Sequence, residues 1–212
     1  MPRTAAPHVG AAPSLRERKK HDKRQRIRAA ARELFARQGY DETTLRQIAQ
    51  RAHVALGTLF RYADDKRDLV FLVFNEELGA LTDDALAAAR PGAPLVEQLL
   101  AIFAAHYHHF AHHLVLSRLV LQELTFYSTG KQADAFHATR ARLIAGIEQR
   151  VAEAQRAGQL RRRPNARLIA RHIFFLYSAA IRWWIAGPAP RAAQGLAELR
   201  QLLQLQMEGL AK

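Results

Sequence analysis

The sequence predicts an all-α protein, and three observations lead to that class. Apolar residues recur at three- and four-residue intervals through most of the chain, the period of a helix with one buried face. No stretch alternates apolar and polar residues as a half-buried strand does, and there is no internal repeat and no Gly-rich phosphate loop. Helix breakers then punctuate the chain at Gly39, Pro91-Gly92-Ala93-Pro94, Ser128-Thr129-Gly130, Gly158 with Arg161 to Pro164, and Gly187-Pro188.

Charge narrows the class of partner. Against 19 acidic residues stand 32 Lys and Arg, a formal charge of +13 on 212 residues. Residues 1–66 hold 15 basic and 7 acidic residues, a net of +8, so the positive charge is densest near the N-terminus. Such a balance suits nucleic acid or an acidic membrane surface. There is no Cys, which excludes disulfides and thiolate metal sites. The first 20 residues contain no apolar run of the export-signal kind. The most apolar run, Ile173 to Ile181, is too short to span a bilayer and is followed by Arg182. A cytoplasmic protein that makes no use of membranes is expected.

Residues 1–20, rich in Ala, Pro and charge and without periodicity, are expected to be a disordered basic arm. Arg16 to Arg28 reads equally as a solvated surface or as an arm that touches DNA phosphates. A first helix is predicted from about Asp22 to Gln38, with Ile27, Ala31, Leu34 and Phe35 as its stripe and Gly39 as its stop. The stretch Thr43 to Lys66 follows. Leu45, Ile48 and Ala49 form one face of a short helix with Thr44 as N-cap, and Leu59 and Tyr62 share a face of a second. A small residue at Ala49, a corner at His53-Val54 and a plug at Leu59 are the marks of a helix-turn-helix. His53 at the corner is expected to take positive φ, which His tolerates better than most residues.

Past Asp65 a longer helix carries Leu69, Phe71, Leu72, Phe74 and Leu78, and five further helices are predicted at about 94–112, 114–127, 132–157, 165–186 and 190–211, the fourth capped by Asn165. This divides the chain into 1–20 (arm), 21–66 (helix-turn-helix domain) and 67–212 (helical regulatory domain).

Residues 24–70 resemble the DNA-binding domain of the TetR family of transcriptional regulators, through RIRAAARELFARQGY, TTLRQIAQRA, VALGTLFRY and the lysine of DDK. The resemblance implies a homodimer on a pseudo-palindromic double-stranded operator, most often a repressor, released when a small-molecule effector enters the C-terminal domain. It also implies roles for single residues. Thr44 and Arg46 would meet phosphates. Ala55, Leu56, Gly57, Thr58 and Arg61 would face the major groove. Tyr62 and Lys66 would hold phosphates. Phe60 stands where a Tyr is usual and Ala63 where a Phe is usual. Ala55 replaces a usual Ser or Thr, so the recognition helix is expected to lack a side-chain cap. The physical chemistry is compatible: Arg61 can read guanine bidentately, and Thr58 offers a hydroxyl and a methyl.

The C-terminal half suggests a mostly apolar effector site. Phe103, Tyr107, Phe110, Phe126, Tyr177 and Trp184 are candidate walls, with Gln122 and the two Tyr hydroxyls as polar groups. The competing expectation is that these side chains fill a helical core. His106, His108, His109, His112 and His113 raise the alternative of a metal-binding helical enzyme, since two pairs are spaced i, i+4. No third ligand stands at a matching spacing, and neither a metal nor a cofactor is expected. A DNA binder without ligand control is the other alternative. The last two helices are expected to build the dimer through Phe175, Ser178, Ala179 and Arg182, and through Leu196, Leu199 and Leu203.

Overall fold

The computed structural model describes residues 14–90, 92–124 and 126–210, which contain nine α-helices and no strand. In order they are α1 (Leu15–Gln38), α2 (Leu45–Arg51), α3 (Leu56–Leu59), α4 (Lys66–Ala88), α5 (Leu95–His112), α6 (Leu114–Glu123), α7 (Ala133–Arg156), α8 (Ala166–Ala186) and α9 (Ala192–Leu210).

The first helix starts earlier than its apolar stripe predicts. Ser14 caps α1, accepting from the Glu17 amide at 3.3 Å and donating its own amide to the Glu17 carboxylate at 2.8 Å. This reciprocal capping box orders residues 15–20, which the charge density had marked as part of a disordered arm; residues 1–13 lie outside the described residues. Thr44 caps α2 in the same way with Gln47. Gly39, at φ +84°, ends α1 and turns the chain. Ile27, Leu34, Phe35, Ile48 and Leu59 are buried together as the core of the three-helix unit.

Helix α4 is the spine. It packs against α1 on one side and against α5, α6 and α7 on the other. Being covered all round, it buries the unbroken run Leu69 to Phe74, which no one-sided helix could do. Each such side chain contributes roughly 1.5–3 kcal/mol. Helix α8, capped by Asn165, lies across α7, and α9 lies across α5. Leu199 and Leu203 are fully buried against the chain's own core, and Leu196 is half-buried with Leu100 between α5 and α9. Leu199 and Leu203 are therefore intramolecular packing residues and not dimer contacts, whereas Leu196 keeps part of its surface exposed. The large apolar side chains left exposed here are Leu168, Phe175 and Trp183 on α8 and Leu205 on α9. Among the described residues no helix is long and apolar enough to cross a membrane.

Candidate nucleic-acid interface and effector cavity

The corner between α2 and α3 is built as its residues dictate. His53 has φ +52°, and the Val54 amide donates to Ala49 O at 3.0 Å. Ala49 and Ala52 are buried under the crossing, where only small side chains fit. Helix α3 is a single turn. It starts at Ala55, which makes no side-chain cap, and continues as turns to Tyr62 and Ala63. Thr44, Arg46, Ala55, Gly57, Phe60 and Arg61 are exposed, and Thr58 is half-exposed. A Cβ built on Gly57 meets nothing within 4 Å, so the backbone there is open to close approach.

Three of the expected contact residues are engaged inside the protein. Leu56 packs part of its side chain on the core and is half-buried. Tyr62 donates its hydroxyl to Lys20 O at 3.1 Å, tying the end of the recognition segment to α1. The Lys66 ammonium donates to Tyr40 O at 2.7 Å and Asp41 O at 3.1 Å, and lies 4.4 Å from the Tyr40 ring centre. It staples the α1–α2 link, so at most one of its three donors is left for phosphate.

The segment between α6 and α7 grips this reading head through Asp68, whose side chain is buried at 1% exposure. One carboxylate oxygen accepts from the Tyr127 hydroxyl and the Gln132 amide (3.0 Å). The other accepts from the Lys131 amide (3.0 Å) and the Asp64 amide (2.9 Å). The Gln132 side chain then donates to Tyr62 O at 2.9 Å, and Arg67 pairs with Glu123 at the end of α6 at 2.6 Å. Burial and the Asp68 carboxylate both push the Tyr127 hydroxyl well above its usual range, keeping it a donor. The strap passes through Gly130 at φ +124°, where an added Cβ would stand 2.9 Å from Asp68 Oδ1. In the sequence Asp68 reads only as a charge suited to a helix start, and this hub is missed. Its one trace there is an acid next to the buried run Leu69 to Phe74.

A cavity of about 490 Å³ lies between α4, α5, α6, α7 and α8. Its walls are mostly apolar: Leu78, Phe110, Leu121, Leu124, Phe136, Leu143, Phe174 and Ile181. The polar lining comprises Thr82, His106, Thr139, Tyr177 and Ser178, with two cations, Arg140 and Arg182. Arg182 donates to Leu121 O at 3.2 Å and Ser178 O at 2.7 Å, whereas Arg140 is exposed. His106 reaches Thr82 Oγ1 at 3.1 Å and Ile102 O at 3.2 Å, and burial lowers its pKa to about 4, so it is neutral.

Of the expected walls, the structure places Phe110 and Tyr177 at this cavity. Phe103, Tyr107 and Trp184 do not line it: Phe103 stacks on Tyr177 with ring centres 4.2 Å apart, and Tyr107 packs on Trp184 at 4.8 Å. Gln122 does not line it either, and Phe126 points outward with 80% of its surface exposed. Phe175, Ser178, Ala179 and Arg182, expected at the dimer face, also line the cavity, and Phe175 keeps more than half of its surface exposed on the outer side of α8. Helical periodicity marks a residue as inward-facing but does not separate core from cavity. The remaining histidines diverge: His108, His112 and His113 are exposed and His109 is half-buried. Among the described residues no three His, Asp or Glu side chains come together as a metal site.

Comparison with known proteins gives two family matches. Residues 27–73 match the model described as bacterial regulatory proteins, tetR family, and residues 92–190 match a tetracyclin repressor-like C-terminal domain. The HTH-type transcriptional regulator HbdR of Aromatoleum sp. (strain CIB) is 42% identical over 57 residues, 27% of this chain and 25% of HbdR. The chain thus spans only about a quarter of that relative's length. The fatty acid metabolism regulator protein of Bacillus subtilis (strain 168) is 24% identical over 171 residues, covering 79% of this chain and 86% of that protein. Among solved structures, FadR from Bacillus subtilis in complex with stearoyl-CoA superposes with a TM-score of 0.68 at 22% identity, over 88% of this chain and 98% of that one. Thermus thermophilus FadR in complex with lauroyl-CoA gives 0.66 at 27% identity, over 85% and 93%.

Proposed function

Because the chain belongs to the tetR family of bacterial regulatory proteins, we propose that it is a sequence-specific DNA-binding transcriptional regulator, a repressor released from its operator by an amphiphilic effector. Residues 21–66 are the reading head and residues 67–212 the regulatory domain. It works in the cytoplasm, as a regulator and not an enzyme. The effector class is an acyl thioester of coenzyme A, the ligand class named for two FadR structures of the same fold. The observation that carries this is the cavity: about 490 Å³ of mostly apolar space fits an acyl chain, and Arg140 at its wall fits an anionic head.

The path from effector to DNA is short. Leu121, Leu124 and Phe136 line the cavity and flank the strap that holds Asp64 and Tyr62 through Asp68 and Gln132. An acyl chain that moves these side chains pulls on the end of the recognition segment. Two copies assemble through the outer side of α8, where Leu168, Phe175 and Trp183 are 55%, 56% and 76% exposed, and this sets two recognition segments on a pseudo-palindromic site. Capture of fragments from the source genome tests the DNA half of the proposal. Bound fragments are expected to share a pseudo-palindrome bound at least about 10³-fold tighter than random duplex. Fragments without a common motif would refute sequence-specific regulation.

A further inference from the structure

The first turns of α1 carry a basic face beside the end of the recognition segment. Leu15 to Arg26 lie ahead of the matched stretch 27–73. This segment forms no apolar stripe and is helical because Ser14 caps it and Tyr62 holds Lys20 O. Arg16, Lys19, Lys20 and Lys23 are spaced i, i+3, i+4 and i+7 on one face, and all four are exposed. Together with Leu15, Arg61 and Tyr62 they line a single concavity. Arg24 and Lys131 line the adjoining one with Lys20, Arg61 and Tyr62. Among the described residues none of Arg16, Lys19 and Lys23 has a carboxylate within ion-pair distance. The segment holds two acids: Glu17 caps the helix with Ser14, whose hydrogen bonds hold its carboxyl below the usual range, and Asp22 is exposed and forms no ion pair with the patch. Residues 1–13 contain no acid to neutralise the patch.

Taking the DNA-binding reading above as its basis, we infer that Arg16, Lys19 and Lys23 bind the phosphate backbone of the same duplex that Arg61 contacts. The helix rises 1.5 Å per residue, so Arg16 to Lys23 spans roughly 10 Å, and one strand presents about three phosphates over that axial length. The extension adds affinity without sequence preference, while Arg61 and Thr58 supply the preference. A preformed helix loses little chain entropy on binding, unlike a disordered arm of equal charge.

The test uses the full chain and a fluorescein-labelled 30-base-pair duplex of arbitrary sequence, with affinity measured by anisotropy from 50 to 200 mM salt. The slope of log K against log salt is expected to become shallower by about 0.9 for each phosphate left without its cation, about 2.7 per subunit, in the variant R16Q/K19Q/K23Q. Over that salt range the wild type then loses about 40-fold more affinity per subunit than the variant. Gln keeps the helix, which circular dichroism checks, and the charge-preserving variant R16K/K19R/K23R is expected to keep the wild-type slope. An unchanged slope in the Gln variant, with salt-dependent binding by the wild type, overturns this inference and leaves the proposed function intact. A shallower slope in the charge-preserving variant also overturns it. A wild type without salt-dependent binding overturns the proposed function itself.

Discussion

Asp68→Asn is the most informative single substitution at the anchor of the strap. The change keeps shape and volume but replaces one acceptor oxygen by an amide NH2. Each Asp68 oxygen receives two donors: Tyr127 hydroxyl and Gln132 amide on one, Lys131 and Asp64 amides on the other. With its NH2 toward the Lys131 and Asp64 amides, two donors face a donor; turned over, the Tyr127 hydroxyl can rotate to accept, and only the Gln132 amide faces a donor. The site is buried, so water does not compensate. An unmet buried donor costs about 1–3 kcal/mol, and the orientation that leaves only the Gln132 amide unmet sets the expected loss at that size. That is a large part of a typical folding stability of about 5–15 kcal/mol. Urea denaturation reads it out: with a slope of about 2 kcal/mol/M, a loss of about 2 kcal/mol moves the midpoint down by about 1 M at unchanged slope. The Gln132 side chain hangs from the same strap and holds Tyr62 O, so DNA affinity is expected to fall with stability. An Asn variant as stable as the wild type, alongside a strongly destabilised Asp68→Ala, would show that the Gln132 amide is satisfied elsewhere and would refute the four-donor account.

Other expectations follow from single observations. His106 is held neutral by burial, with its pKa lowered to about 4 from an unfolded value near 6.5. The unfolded chain therefore binds more protons between these values, and the stability from neutral His106 is present above about pH 6.5 and lost as pH falls through 4, by about 3 kcal/mol in all; His106→Gln is expected to flatten that part of a denaturation-versus-pH profile, and an unchanged profile would assign the dependence to other groups. Gly195→Ala would set a Cβ 2.4 Å from Tyr107 Cε1 and 2.6 Å from Trp184 Cδ1. The resulting overpacking is expected to lower stability by about 1–3 kcal/mol despite the better helix propensity of Ala, and thermal melting that shows a gain would mean the rings yield freely. Arg61→Ala is expected to weaken operator binding by about 1–3 kcal/mol and to spare random duplex. Equal losses on both would make Arg61 a phosphate contact.

Much of the fold was legible because local chemistry and periodicity agreed. Thr44 and Asn165 cap the helices they precede, Gly39 ends α1, and His53 takes the positive φ that the corner needs. The start of α1 was legible too, in the box Ser14-x-x-Glu17, but the charge density of the segment pointed toward disorder. What was not legible depended on which neighbour covers a helix face. Leu199 and Leu203 have the spacing of a dimer seam, yet α5 covers them. Phe103 and Phe110 lie on one helix and are both buried, but only Phe110 reaches the cavity. Lys66 resembles a phosphate ligand, yet the Tyr40 and Asp41 carbonyls lie within its reach. The role of Asp68 is not legible because three of its four donors come from a loop about sixty residues away, and no pattern in the chain announces that meeting.

The central claim is that filling the cavity loosens DNA. Anisotropy of a labelled operator duplex, taken from the genomic selection and titrated with lauroyl-CoA at fixed salt, tests it most directly. Release is expected, with operator affinity falling at least about 10-fold at saturation, a coupling of about 1.4 kcal/mol. Operator affinity that stays constant while calorimetry shows lauroyl-CoA bound would contradict the account, because a ligand that binds both states equally shifts nothing.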